Sequence, residues 1–144
     1  MKIDKETICC ISIAERPGNF GATIFNSAFH ALNLNYIYKP FCVGVSGLGN
    51  VIKGIRALGI RGCGVSMPHK IAVIQYLDRI DDVAKRIGAV NTIVNDDGIL
   101  VGYNTDYEGV RMALREEYDM NGKKALIIGA GGMARAIIIV LQAS

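Results

Sequence analysis

Short apolar runs alternate with amphipathic stretches along most of the chain, and their periods predict strands and helices in turn. Thr7–Ile13 reads as a first strand and Tyr36–Phe41 as a second. Between them Phe20 to Asn33 has helical length; Ile24, Ala28 and Leu32 recur every four positions as its apolar side, and Asn33 suits its C-terminal end. A second helix starts at Ser46 or Asn50, gathers Val51, Ile52, Ile55 and Leu58 on one face, and stops at Gly59. Ile60–Ser66 makes a third strand, and Met67-Pro-His-Lys70 stands at the mouth of a third helix, where Pro68 suits the first turn. Asp78–Ile87 reads as a polar helix. Ala89–Asn95 and Ile99–Tyr103 flank Asp96-Asp-Gly98, and Asp-Gly is a hairpin signal, so these two strands pair antiparallel. Asn104 or Thr105 caps the next helix, in which Val110, Met112, Ala113 and Leu114 lead to the polar linker Asp119–Gly122. The repeated β-α pattern predicts an α/β fold with a mainly parallel sheet over residues 1–121.

After the linker, residues 122–144 start again. Ala125–Ile128 predicts a short buried strand, Gly129-Ala-Gly-Gly132 a tight turn, and Met133–Leu141 a helix, the layout of the first βα unit of a Rossmann domain. Glycines let a backbone approach a pyrophosphate, and the free N–H groups of the following helix attract it. Glycine turns of this kind also occur in α/β proteins that bind no nucleotide. The G-x-G-x-x-G/A form is carried by Gly129, Gly131 and Ala134, with an extra Gly132. The residue that selects between NAD and NADP, expected about 20 positions further on, falls past Ser144.

Composition narrows the function classes. At 144 residues, 51% hydrophobic and 20% charged, the chain suits a cytoplasmic α/β protein. No apolar run reaches the roughly 18 residues that span a bilayer, and Met1–Glu6 lacks the apolar centre of a secretory signal. A net charge of +3 with scattered basic residues gives nucleic-acid binding little support but suits an anionic small ligand. Cys9, Cys10, Cys42 and Cys63 have no C-x-x-C spacing and only His30 and His69 to join them, so the expectation is no metal site and four reduced, buried thiols.

Lys70 and Asp106 are the chemical candidates, because each follows a predicted strand at a junction where α/β sheets present ligand sites. Together they can share a proton-transfer role, the carboxylate holding the lysine in place. The plainer alternative is a surface lysine and a helix-capping aspartate. His69 reads as a solvent-facing neighbour of Lys70 rather than a general acid. Asn91 and Asn104 can donate to substrate hydroxyls or satisfy nearby backbone, and Ser66 and Thr105 are in the same position.

Taken in order, Gly64-Val-Ser-Met-Pro-His-Lys70, Gly88-Ala-Val-Asn-Thr-Ile93, Tyr103-Asn-Thr-Asp106 and Gly129-Ala-Gly-Gly-Met-Ala134 resemble the shikimate dehydrogenase family over nearly the whole chain. The resemblance implies an N-terminal substrate domain of the amino acid dehydrogenase-like kind, followed by a Rossmann domain that binds NADP, or NAD in some relatives. It implies reversible hydride transfer between nicotinamide and 3-dehydroshikimate or shikimate. By motif, Lys70 and Asp106 match the family's catalytic pair, and Asn91, Ser66 and Thr105 match substrate-binding positions. Gly129, Ala130, Gly131, Gly132, Met133 and Ala134 match the pyrophosphate loop. One motif departs: where the family has a Ser-x-Ser for the substrate carboxylate, this chain reads Arg16-Pro-Gly-Asn-Phe-Gly21. Asn19 can replace one hydroxyl donor and Arg16 can take a carboxylate from another angle, which favours the shikimate dehydrogenase-like branch and leaves shikimate, quinate or another hydroxy acid open. The family's remaining Rossmann strands would lie past Ser144, which predicts uncovered apolar side chains at Ile137, Ile138, Ile139 and Leu141 and a chain that is monomeric or self-associates as a homodimer. A truncated binding module without turnover is the alternative. A folate dehydrogenase-like enzyme shares the lysine-bearing layout, but the ordered Asn-Thr and Asn-Thr-Asp motifs argue against it.

Overall fold

In a computed structural model, which describes residues 3–117 and 122–142, strands and helices alternate along the chain. They are β1 (Ile8–Ala14), α1 (Phe20–Ala31), β2 (Tyr36–Cys42), α2 (Leu48–Ala57), β3 (Gly62–Val65), α3 (His69–Ala72), β4 (Arg79–Ile80), α4 (Asp82–Ile87), β5 (Thr92–Asp96), β6 (Ile99–Tyr103), α5 (Asp106–Glu117) and α6 (Gly132–Gln142). The strands form one sheet in the order β2-β1-β3-β5-β6-β4. β1 lies parallel to β2 and β3, and β4 parallel to β6, while β5 runs antiparallel to β3 and β6. The mainly parallel α/β architecture is therefore present, with the β5–β6 hairpin reversing direction at Asp97 and Gly98, both at positive φ as an Asp-Gly turn demands.

The core fills from both sides of this pattern. Ile11, Ile13, Cys63, Val65, Ile93 and Leu100 point inward from strands and meet Ile52 and Ile55 of α2 and Val73. Burying each large aliphatic side chain contributes roughly 1.5–3 kcal/mol. Gly102 on β6 has no room for a side chain: a Cβ there would stand 2.6 Å from Leu77 and 2.8 Å from Val90. Gly59 and Gly88 end α2 and α4 with positive φ, where any other residue would be strained.

Several expectations give way where tertiary partners decide. Ala125–Ile128 is not a strand, and Leu126 and Ile128 are 87% and 91% exposed, because no strand among the described residues pairs with it. α6 nevertheless forms: Ala136 and Ile139 pack against Ile87 and Ala89, whereas Ile138 is exposed. The polar helix predicted from Asp78 begins only at Asp82. Asp81 caps it by accepting the Ala84 N–H at 2.8 Å, and Arg79–Ile80 joins the sheet edge instead. Asp78 accepts the Leu100 N–H at 2.7 Å and an Arg56 hydrogen bond at 2.8 Å, contacts that tie the segment to the sheet and stop it coiling.

On α1, Ile24, Ala28 and Leu32 are all exposed, and the helix instead turns Phe25 and Phe29 onto Tyr38 and Tyr36. Leu58 is exposed too, because it lies past the last turn of α2. Ala89 and Val90 are fully buried but precede the ladder of β5, which starts at Thr92. α3 is a single turn continued as a 3-10 turn at Val73–Tyr76. Of the four thiols only Cys63 is buried. Cys9 and Cys10 are half-buried and Cys42, at the end of edge strand β2, is exposed. The expected domain boundary in Asp119–Gly122 lies outside the described residues except for Gly122.

Candidate active site

The site grows from the C-terminal end of β3. Ser66 donates its backbone N–H to the Ile13 carbonyl at 2.9 Å and accepts the His69 N–H at 2.9 Å, closing the turn that launches α3. The Lys70 carbonyl accepts the Val90 N–H at 2.8 Å, so the lysine backbone is tied to the strand side as well. From this anchor Lys70 Nζ reaches Asp106 Oδ2 at 2.6 Å, both side chains 15% exposed. A charge pair this sheltered is weakly screened, and removing one partner leaves the other poorly solvated.

His69 corrects the expectation of a solvent-facing ring: it is 1% exposed, with Nε2 2.8 Å from the Val43 carbonyl. Adjacent residues on one helical turn point to different sides. Lys70 takes the cavity side, and the imidazole is left to the interior, where the carbonyl satisfies it.

Asn91 organises the other half. Its amide nitrogen donates to Asp106 Oδ1 at 2.8 Å and to Thr105 Oγ1 at 2.9 Å, and its Oδ1 accepts the Thr105 N–H at 3.0 Å and the Thr92 hydroxyl at 2.9 Å. The Asp106 carboxylate is thus held by Asn91 on one oxygen and Lys70 on the other. Asn104 is buried beneath, donating to the Ala89 carbonyl at 2.9 Å and accepting the Asp106 N–H at 3.1 Å, the capping contact expected at the start of α5. Both oxygens of Asp106 face this network, so it is no simple helix cap.

Two cavities meet here. A cavity of about 300 Å³ has Ser66, Lys70 and Asn91 in its lining, with Arg16 to Gly18 on another side. A cleft of about 740 Å³ also includes Ser66 and Lys70 and runs on to Gly129, Gly131, Gly132 and Met133. Thr105 lies behind Asn91, and Asn19 sits exposed before α1, its carbonyl accepting the Thr23 N–H at 3.0 Å; neither lines the smaller cavity. That cavity also includes Ser12 and Tyr38, which carry only a faint sequence signal as polar groups among apolar strand residues.

In the cleft, Gly129 has φ +120°, and both it and Gly131 face open space where a Cβ would stand. The first turn of α6 leaves backbone N–H groups without helical acceptors. These features fit a pyrophosphate. Gly132 is different, because a Cβ there would stand 3.0 Å from Lys70 Cδ, 3.2 Å from Lys70 Cβ and 3.3 Å from Ala89 Cβ. The glycine turn therefore rests directly on the stem of Lys70.

The sequence profile of the shikimate dehydrogenase substrate binding domain matches residues 20–93. The chain belongs to the shikimate dehydrogenase family. A shikimate dehydrogenase-like protein of Haemophilus influenzae is 46% identical over 143 residues, covering 99% of this chain and 52% of the relative. A shikimate dehydrogenase (NADP(+)) of Caldanaerobacter subterraneus is 49% identical over 119 residues, covering 82% and 42%. A shikimate 5-dehydrogenase from Listeria monocytogenes, solved in complex with shikimate and NAD, superposes with a TM-score of 0.85 at 44% identity, covering 96% of this chain and 49% of that one. The chain spans about half the length of these shikimate dehydrogenase relatives. Among the described residues no helix is long and apolar enough to cross a membrane.

Proposed function

We propose that the chain forms the substrate-binding half of an NADP-dependent shikimate dehydrogenase-type oxidoreductase, with the start of its nucleotide domain, interconverting 3-dehydroshikimate and shikimate or a close hydroxy acid. The observation that carries this reading is Lys70: its ammonium is 2.6 Å from Asp106, and its side chain lines both the polar cavity and the glycine cleft. The NADP(+) named for relatives and the shikimate of the Listeria complex supply the ligand identities.

A bound nicotinamide dinucleotide supplies the hydride in reduction and takes it in oxidation. Gly129, Ala130, Gly131, Gly132, Met133 and Ala134 would hold its pyrophosphate through backbone N–H groups. As negative charge develops on the carbonyl oxygen, Lys70 donates the Nζ proton to it, leaving an alcohol and a neutral amine; oxidation returns that proton to Nζ. Asp106 keeps Nζ aimed into the cavity, and Asn91 keeps Asp106 aimed at Nζ. Ser66 offers a hydroxyl beside Lys70, and Arg16 an opposite charge for a carboxylate at the cavity's other side. Thr105 and Asn19 act on the substrate indirectly, Thr105 through Asn91 and Asn19 through the turn that carries Arg16.

A second reading is a module that binds the hydroxy acid without turnover. Calorimetric titration with shikimate and NADP, followed by a nicotinamide absorbance assay, separates the two. Binding and turnover by the wild-type chain, with turnover lost in Lys70→Ala at little change in shikimate affinity, supports the enzyme. Shikimate binding without turnover supports the binding module, and failure to bind shikimate removes both.

A further inference from the structure

His69 adjoins Lys70 in the chain and is buried, yet it takes no part in the proton transfer. A buried imidazole needs a polar partner, and Nε2 has one in the Val43 carbonyl at 2.8 Å, 26 residues away and just past β2. A carbonyl only accepts, so Nε2 carries a proton. Val43 in turn donates its N–H to the Ala14 carbonyl at 2.8 Å, at the end of β1. The N–H of that same Ala14–Glu15 peptide donates to the Met67 carbonyl at 3.1 Å, in the turn that launches α3. The contacts close a circuit: from the turn through the imidazole to Val43, on to the Ala14–Glu15 peptide, and back to the turn. His69 supplies the one side chain in it.

This circuit joins two walls of the polar cavity. Lys70 follows His69 on one wall and Arg16 follows the Ala14–Glu15 peptide on the other, and both line the same hollow of about 300 Å³. Pairing between β1 and β3 holds the walls together as far as Ile13, whose carbonyl accepts the Ser66 N–H at 2.9 Å. Past that point the circuit takes over. A buried carbonyl is costly to leave without its donor, so loss of the imidazole moves Val43, and with it the peptide before Arg16.

We propose that His69 is a positioning residue that fixes the spacing between Lys70 and Arg16, so that one hydroxy acid meets both at once. The proposal rests on the substrate reading of the cavity given above. A ligand that spans two walls binds better when they are already in register, whereas a ligand held at one wall is indifferent to the other.

The test is NMR titration of the isotope-labelled 144-residue chain with shikimate, which carries a carboxylate and ring hydroxyls, and with cyclohexenecarboxylate, which lacks the hydroxyls. His69→Leu fills the interior without a donor; it weakens shikimate about tenfold and leaves cyclohexenecarboxylate unchanged. His69→Gln, whose amide nitrogen has a reach similar to that of Nε2, restores the wild-type preference. The readout is the ratio of the two affinities, which a general loss of stability does not move. If His69→Leu does not fold, His69→Asn stands in, the same amide one methylene short of Val43. In the wild-type chain the ring-nitrogen spectrum shows a proton on Nε2. Wild-type preference in the deciding variant, equal weakening of both acids, no recovery in His69→Gln, or an Nε2 without a proton overturns the His69 role and leaves the substrate reading intact. A wild-type chain that binds neither acid overturns the substrate reading and this role with it.

Discussion

Replacing Gly132 by alanine probes the contact between the glycine turn and Lys70. The new methyl group would stand 3.0 Å from Lys70 Cδ, 3.2 Å from Lys70 Cβ and 3.3 Å from Ala89 Cβ, against the roughly 3.5–4.0 Å of a relaxed carbon contact. Cδ can swing away, but both Cβ atoms are set by backbone, and Ala89 is fully buried. The strain therefore falls on the docking of α6 and on the Lys70 rotamer together. Overpacking of this kind costs about 1–3 kcal/mol, and the better helix propensity of alanine returns at most about 1 kcal/mol, less in a first turn. The expected net loss is about 1–2 kcal/mol, a fall in Tm of roughly 3–8 °C for a chain of this size. Calorimetric melting of Gly132→Ala, Lys70→Ala and the double variant isolates the cause. With the lysine stem cut back, the Cδ contact is gone while those at Lys70 Cβ and Ala89 Cβ stay, so the cost of Gly132→Ala falls by about 0.5 kcal/mol without vanishing. Equal cost in both backgrounds, or a stabilised single variant, would refute the claim that the turn bears on Lys70.

Three further outcomes follow from features away from that contact. Gly102→Ala forces a methyl group to within 2.6 Å of Leu77 and 2.8 Å of Val90, both on ordered apolar side chains, and should destabilise by about 3 kcal/mol in urea unfolding. The Arg56 guanidinium and the Leu100 N–H hold the Asp78 carboxyl below its ordinary value, so its stabilisation is present above the unfolded carboxylate range and is lost as pH falls through the lower folded value. Asp78→Asn should flatten that acid limb in melts taken from pH about 5 downward, and an unchanged limb would remove the assignment. Burial pushes the Cys63 thiol up to about 12, whereas Cys42 is exposed; iodoacetamide at neutral pH should label Cys42 first and Cys63 only after unfolding, read by peptide mass.

Much of the fold was legible because local signals and tertiary needs agree. Asp97-Gly98 is a turn by backbone chemistry alone, and Gly59 and Gly88 end helices for the same reason. The meeting of Lys70 and Asp106 was legible because both follow strands of one sheet. What escaped depends on partners remote in sequence. Which side of α1 faces the sheet is decided by Tyr36 and Tyr38, not by the spacing of Ile24, Ala28 and Leu32. Ala125–Ile128 has strand composition but no ladder to join among the described residues. His69 carries no local mark of burial, since its acceptor is the carbonyl of Val43. Tyr38 enters the cavity only because Gly64, on another strand, leaves the space.

The glycine cleft and the polar cavity share Ser66 and Lys70. In the proposed reaction a planar ketone seated in the cavity would present one of its two faces toward the glycine turn and the opposite face away from it. Hydride would then arrive from a single direction and the proton from the lysine at the oxygen's edge. The handedness of the new alcohol carbon would be written by the placement of one lysine between two hollows, and a substrate turned over in the cavity would give the mirror configuration.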